Sequence, residues 1–358
     1  MRPAPRVLRD WLPDDGGHRN EPMMVRVPYD DLVAEFVRVL LSVGFEEERA
    51  LRAARMFANA SRDGVHSHGL NRFPLFISTI EQGFVNVDGV PEALSAFGAV
   101  ERWDGNLGPG SLNAELAMDR AIALAREHGI GCVALQNTNH WMRGGTYGWQ
   151  AANAGMIGLC WSNTKPNLPP WGAREPRLGN NPLVVAVPRA EGHVVLDMAM
   201  TQFSYGQIDT HRRAGKQLPV EGGYDRDGVL TRDPAAIEAS ERPLPIGYWK
   251  GSGLALVLDL IAAVLSGGKA THQITPEESG LSQVFIAIDP SPPGVGPAAT
   301  GIVTEIVAFA QSAAPMREGE AVHYPGQRSL ETRDDAMTNG VFVDPEVWER
   351  VRGMGRVD

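Results

Sequence analysis

An α/β protein that opens with a helical subdomain is what this sequence predicts, on three observations. From about residue 98 onward, short β-branched runs alternate with helical patterns, as in a sheet covered on both faces. Before that point the apolar residues recur only at helical spacing. The 358 residues are 43% hydrophobic and 21% charged, enough apolar material for two domains and a large buried core.

Residues 1–24 hold Pro, Arg, Asp and Gly without periodicity and lack the apolar core of a signal peptide. A disordered extension is expected there, with Met23 or Met24 as alternative starts. Residues 30–43 place Leu32, Val33, Phe36, Val37, Val39 and Leu40 on one helical face, closed by Gly44. Residues 46–62 repeat that logic with Ala50, Leu51, Ala54, Phe57 and Ala58, after an acidic start that suits the helix dipole. A third helix over residues 73–82 stops at Gly83. An Ala-rich helix over 111–128 ends at Gly129 and leads into a buried strand over 131–135. A helix through Ala154 and a strand over 156–162 follow, then β-runs at 183–187, 194–198 and 284–288. Residues 215–233 read as a long functional loop, because ordered loops beyond ~12–15 residues are uncommon without a purpose. The proline-rich residues 290–297 read as a connector, and residues 302–313 and 345–351 return to helix.

Composition excludes several classes. A net charge of −10 argues against nucleic acid, which usually demands a basic face. A membrane span is not expected, since the most apolar segment, residues 254–265, is short and carries Asp259. Cys132 and Cys160 lie in apolar runs without metal or disulfide spacing, so core thiols in a reducing cytoplasm are expected.

The chemistry-bearing stretch is Gly64-Val65-His66-Ser67-His68-Gly69-Leu70-Asn71-Arg72-Phe73-Pro74, polar and glycine-bounded between two helices. If it winds into helix after Ser67, His68 and Arg72 share a face, where an imidazole can give a proton and a guanidinium can grip a carboxylate. A zinc site is disfavoured: His66 and His68 are two apart, and no carboxylate stands at H-E-x-x-H spacing. Asn137-Thr138-Asn139-His140-Trp141-Met142-Arg143-Gly144-Gly145 follows a strand and precedes a helix, where ligands gather in open sheets, although it also reads as a helix cap. Trp161-Ser162-Asn163-Thr164-Lys165 gives a third polar rim. Lys250-Gly251-Ser252-Gly253 before an apolar helix suits an anion, or is a simple N-cap by Ser252. Neither a G-x-G-x-x-G after a strand nor a Walker sequence occurs, so a conventional dinucleotide fold lacks its motif.

Taken together, Ser67-His68-Gly69 with Arg72, Asn139-His140, Pro170-Trp171-Gly172, Gly179-Asn180-Asn181-Pro182, Asp197-Met198 and Lys250-Gly251 resemble the malate/L-lactate/sulfolactate dehydrogenase-like oxidoreductases, from about residue 25 to the end. Longer strings, including Tyr147-Gly148-Trp149, Phe203-Ser204-Tyr205-Gly206 and Gly247-Tyr248-Trp249, are similar to the branch acting on sugar acids. The resemblance implies a non-Rossmann NAD(P)-binding α/β domain with a mixed sheet over residues 98–297. It also implies a helical domain built from residues 25–97 and 298–358, and a homodimer with sites near the subunit interface. His68 would be the proton donor, with Ser67 and His140 as further catalytic residues. Cofactor contacts would fall on His193, Val194, Val195, Leu196, Asp197, Met198, Ala199, Trp249, Lys250, Gly326, Gln327 and Arg328. Arg72, Asn163 and Thr164 would meet the substrate. The resemblance favours NADH, while Arg328, where relatives often carry an acidic turn, suits the 2′-phosphate of NADPH.

The expected reaction is hydride transfer to the C2 carbonyl of a small 2-oxo sugar acid, 2,3-diketo-L-gulonate, with His68 as an imidazolium giving the proton. Another 2-oxo acid or a cyclic imino acid is the alternative substrate. From other classes, a non-catalytic sugar-acid binding protein and a metal-dependent hydrolase stand behind it. Neither metal, nucleic acid nor membrane is expected to be a partner.

Overall fold

The computed structural model describes residues 25–291, 298–317 and 319–356; the extension expected over residues 1–24 and most of the connector expected over 290–297 lie outside the described residues. The chain runs β1 (Val25–Val27), α1 (Tyr29–Ser42), α2 (Glu47–Arg62), α3 (Phe73–Glu81), β2 (Glu92–Phe97), β3 (Val100–Asp104), α4 (Gly110–His128), β4 (Ile130–Thr138), α5 (Gly145–Asn153), β5 (Ile157–Ser162), β6 (Leu183–Val187) and β7 (Val194–Met198). It continues through α6 (Tyr205–Arg213), β8 (Gly223–Tyr224), β9 (Leu230–Thr231), α7 (Pro234–Ser240), α8 (Trp249–Ser266), β10 (Leu281–Ile288), α9 (Ala298–Gln311), α10 (Gln327–Asn339), β11 (Val341–Val343) and α11 (Pro345–Gly353).

The first three helices bury the faces their spacing assigns. Leu32, Phe36 and Leu40 of α1 meet Ala50, Ala54 and Phe57 of α2 and Phe73 and Ile77 of α3. The Glu46 carboxylate caps α2 by accepting from the Arg49 amide, and Pro74 suits the first turn of α3. Phe73 is the keystone, its ring 4.3 Å from that of Phe36 and 5.1 Å, edge-on, from that of Phe57. Ala336, Val341, Val343 and Val351 from the chain's end share this core. There β11 pairs antiparallel with β1, Val25 opposite Val343.

Seven strands form the main sheet in the order β2-β3-β4-β10-β5-β6-β7. Only β3 and β4 run parallel; the other neighbours are antiparallel. The one parallel crossover, β3–α4–β4, passes through Gly105-Asn106-Leu107-Gly108-Pro109-Gly110, whose glycine spacing is not G-x-G-x-x-G. Both faces are covered. Val133 and Leu135 of β4 pack with Ala114, Ala117 and Ala121 of α4 and with Tyr147 of α5. Cys132 and Ala134, on the other face, pack with Ala255, Leu258 and Ala262 of α8. Both cysteines are free and buried.

Several sequence expectations need correction. The stretch 215–233 is not wholly loop, because β8 and β9 form a small antiparallel hairpin within it. Helix α6, capped by Ser204 and Gln207 in a capping box, and α10 were not expected; both are mostly polar and show no broad apolar stripe. Helix α8 begins at Trp249, and Ser252 does not cap it: its hydroxyl instead accepts from the Trp171 amide at 2.9 Å. With 18 residues, α8 is, among the described residues, long and apolar enough by length and composition to cross a membrane. One side packs on the sheet and Asp259 is buried there, so the same composition describes a sheet-covering helix.

Candidate active site

The polar segment between α2 and α3 winds into two 3-10 turns, His66–His68 and Leu70–Arg72. Gly69 joins them where the chain presses onto α2. A Cβ there would sit 2.1 Å from the Ser61 hydroxyl and 2.7 Å from its amide nitrogen. That hydroxyl accepts from the Leu70 amide at 2.8 Å and donates to the Phe57 carbonyl, which pins the turn. Ser67 Oγ lies 2.8 Å from His68 Nδ1, and Gly206 at the start of α6 packs closely against Ser67.

His140, on the loop after β4, stacks on His68 with centroids 5.8 Å apart and planes 19° apart. Its Nδ1 accepts from the Met142 amide at 3.1 Å, so the neutral ring carries its proton on Nε2. Burial, then the Arg72 and Arg143 guanidiniums, hold His68 down at about 4. Burial, then Arg72, His68 and Lys165, hold His140 well below the ordinary histidine range. Without substrate both rings are therefore neutral near pH 7. His66 is also lowered by burial, and stands apart from the stacked pair.

Arg143 and Asp63 belong to this site but escaped the sequence reading. Asp63 ends α2 and is 4% exposed; it accepts from Arg143 Nη1 at 2.5 Å, Arg62 Nε at 2.8 Å, and Arg333 of α10 through Nε at 2.9 Å and Nη2 at 2.7 Å. Although burial opposes it, these guanidiniums hold the carboxyl at about 2. Arg143 stood inside the quoted loop, so its type and place were visible. Asp63 and Arg333 gave no signal, being ordinary helix-end and helix-surface residues in the sequence.

Arg72 Nη2 donates to Glu278 Oε2 at 3.3 Å. Asn163 and Thr164 are brought near but face inward. The Asn163 amide donates to Asp259 and to the Lys269 carbonyl and accepts from the Ser282 amide, with no exposed surface. The Thr164 hydroxyl bonds Asn180, and its amide nitrogen bonds the Asn181 side chain. The expectation that these two meet substrate is corrected: Asn163 is spent on Asp259 of α8 and on the Lys269 and Ser282 backbone, and Thr164 on the side chains of Asn180 and Asn181.

Of the three segments expected to hold the cofactor, one is β7 and the other two lie at its ends. The Val195 amide donates to the Pro325 carbonyl at 2.8 Å, setting Gly326 (φ +97) against His193 and Val195. Past the other end of β7, the Ile246 amide donates to the Met200 carbonyl at 2.9 Å, which brings up Tyr248, Trp249 and Lys250. Asp197, exposed on β7, accepts from the Gly145 amide at 2.8 Å. A Cβ on Gly145 would meet Asp197 at 2.7 Å. In the same wall Trp149 Nε1 and Arg143 Nε are buried and lack protein partners. Exposed Lys250 and Arg328 at the starts of α8 and α10 suit phosphates. These groups fit a dinucleotide.

A stacked histidine pair with an arginine beside it, and exposed cations at two helix starts along a mixed sheet, are an arrangement suited to a dehydrogenase. The chain belongs to the malate/L-lactate dehydrogenase family, whose pattern it matches over residues 27–352. It is 46% identical over 333 residues to 2,3-diketo-L-gulonate reductase of Escherichia coli, covering 92% of this chain and 100% of that protein. Its fold is similar to malate dehydrogenase from Pyrococcus horikoshii, with TM-score 0.86, 26% identity, and coverage of 96% of this chain and 98% of that one. Sulfolactate dehydrogenase from Methanocaldococcus jannaschii gives TM-score 0.84 and 29% identity, covering 91% of this chain and 95% of that one. The resemblance read from the motifs and the mixed α/β fold are thereby borne out, and the family implies a nicotinamide cofactor.

Proposed function

We propose that this chain reduces 2,3-diketo-L-gulonate to 3-dehydro-L-gulonate with a reduced nicotinamide cofactor. The observation that carries the reading is the joining of His68, His140 and Arg72 beside the wall formed by β7, α8 and α10. The 46% identity to a reductase of that name supports the sugar acid. When bound along His193, Val194, Val195, Leu196, Asp197, Met198, Ala199, Trp249, Lys250, Gly326, Gln327 and Arg328, the cofactor supplies the hydride.

The protein's own part is binding and proton control. Free donors of Arg72 grip the substrate carboxylate. His140 points its Nε2–H at the C2 oxygen, and His68 delivers the proton that oxygen needs as its charge grows. Arg72 is one of the charges that keeps His68 neutral. A carboxylate on Arg72 cancels part of that field, so His68 takes up its proton when substrate arrives. Ser67, bonded to Nδ1, holds the ring so that Nε2 faces the reaction.

A homodimer belongs to this reading. Leu256, Val257, Leu260 and Val264 on the outer face of α8 are 47%, 47%, 54% and 71% exposed, an apolar strip suited to a second copy. The test is steady-state reduction of 2,3-diketo-L-gulonate, pyruvate and oxaloacetate with NADH and NADPH in parallel. A preference for the sugar acid supports the reading, and faster turnover of a smaller 2-oxo acid overturns it. His68→Ala should lower kcat by about two to four orders of magnitude with the cofactor still bound.

A further inference from the structure

We infer that Glu278 is a specificity-determining residue, its carboxylate beside Arg72 favouring 2-oxo acids with hydroxylated tails and rejecting those with a second acid group. This rests on the reading above, in which Arg72 grips the substrate carboxylate.

The pair is held in place. Glu278 bonds Arg72 through one guanidinium nitrogen at 3.3 Å, and its side chain is 13% exposed. Its backbone has φ +57 and its amide donates to the Thr275 carbonyl at 3.0 Å. The flanking chain is anchored on two further sides. Lys165 Nζ donates to the Pro276 carbonyl at 3.2 Å, and the Ser279 hydroxyl donates across to the Phe84 carbonyl at 3.3 Å. Burial raises Tyr205, then the carboxylates of Glu241 and Glu278 add to it, so Glu278 faces the start of α6 as well as Arg72.

Charge and hydrogen-bonding capacity then decide what fits. A guanidinium offers five donors, so Arg72 keeps donors for a substrate carboxylate while holding Glu278. The Glu278 charge offsets that of Arg72, so the pair is neutral before substrate arrives and carries net negative charge once one substrate carboxylate sits on Arg72. A second acid group then meets that net negative charge. Malate and sulfolactate, after which two structural relatives are named, both carry that second group. A carboxylate accepts only, and hydroxyls on the substrate tail are the donors that satisfy it. Recognition of hydroxyls and rejection of anions thus come from one side chain.

The experiment compares kcat/KM for 2,3-diketo-L-gulonate, oxaloacetate and pyruvate in the wild type, Glu278→Gln and Glu278→Asp. The wild type should prefer the hydroxylated acid to oxaloacetate by about a hundredfold or more. Glu278→Gln should lose about tenfold on the sugar acid, gain about tenfold on oxaloacetate, and stay within about threefold on pyruvate. Glu278→Asp should keep the wild-type order. Equal changes on all three acids would make Glu278 a mere strut or plug for Arg72 and overturn the assignment, as would no change. A wild type that prefers oxaloacetate overturns both this and the proposed function. A wild type that prefers the sugar acid, with an unchanged ratio in Glu278→Gln, overturns only the role of Glu278. If Glu278→Gln does not fold, Glu278→Ala takes its place on the same three acids, with the same shift toward oxaloacetate expected and an unchanged ratio overturning the assignment.

Discussion

His68 and Asp63 share the field of Arg143, which lowers both, while burial lowers the histidine and opposes the lowering of the carboxyl. Burial and two guanidiniums keep His68 neutral down to about 4. In the oxidation direction a neutral His68 accepts the proton, so kcat/KM for 3-dehydro-L-gulonate should rise with pH through about 4 and then level. In the reduction direction the protonated form is needed, and kcat should fall at a higher pH than that, because substrate cancels part of the Arg72 field. Identical profiles in the two directions would remove His68 as the proton carrier. Asp63 is depressed to about 2, so its stabilisation is full above the unfolded value of about 3.9 and is lost as pH falls toward 2. Asp63→Asn, leaving three guanidiniums around a neutral amide, should cost about 3–5 kcal/mol at pH 7. Urea midpoints should show that gap closing between about pH 4 and pH 2.

At the scale of elements, the catalytic turns are only as fixed as their contacts with α2 and α3. Gly69→Ala forces a Cβ into the Ser61 amide and hydroxyl, so the turn must lift from α2. The expected result is a drop in kcat of at least about tenfold, since misplacement by about 1 Å can cost far more. A crystal structure showing His68 and His140 still stacked, with normal kcat, would contradict it. Phe73→Ala removes a fully buried ring shared with Phe36 and Phe57 and should cost about 3–5 kcal/mol, read from thermal melting. It should also loosen Arg72, the residue before it.

Across the whole molecule, Asp63 joins the N-terminal helices to Arg143 beside the sheet and Arg333 near the chain's end, so one carboxylate sets three parts of the fold around the cleft. Among the described residues, nothing covers Leu256, Val257, Leu260 and Val264 on the outer face of α8. Leu260→Glu with Val264→Glu should shift the protein toward monomer in sedimentation while leaving the sheet-side contacts of α8 intact. An unchanged mass would place any dimer contact elsewhere.

Read alone, the sequence determined the periodic elements: α1 to α5, β4 to β7 and α8 follow from spacing that water and backbone hydrogen bonding enforce locally. The His68–Arg72 turn, the His140 loop and the family were also legible, because rare polar residues stood out between apolar runs. Only the tertiary structure decided the rest. Strand order, with β10 inserted between β4 and β5, depends on pairing between segments more than a hundred residues apart. The inward turn of Asn163 and Thr164, and the Asp63, Arg333 and Glu278 contacts, were equally hidden. A carboxylate in sequence looks the same whether solvated or buried, and its partners are chosen by which distant segments the fold brings together.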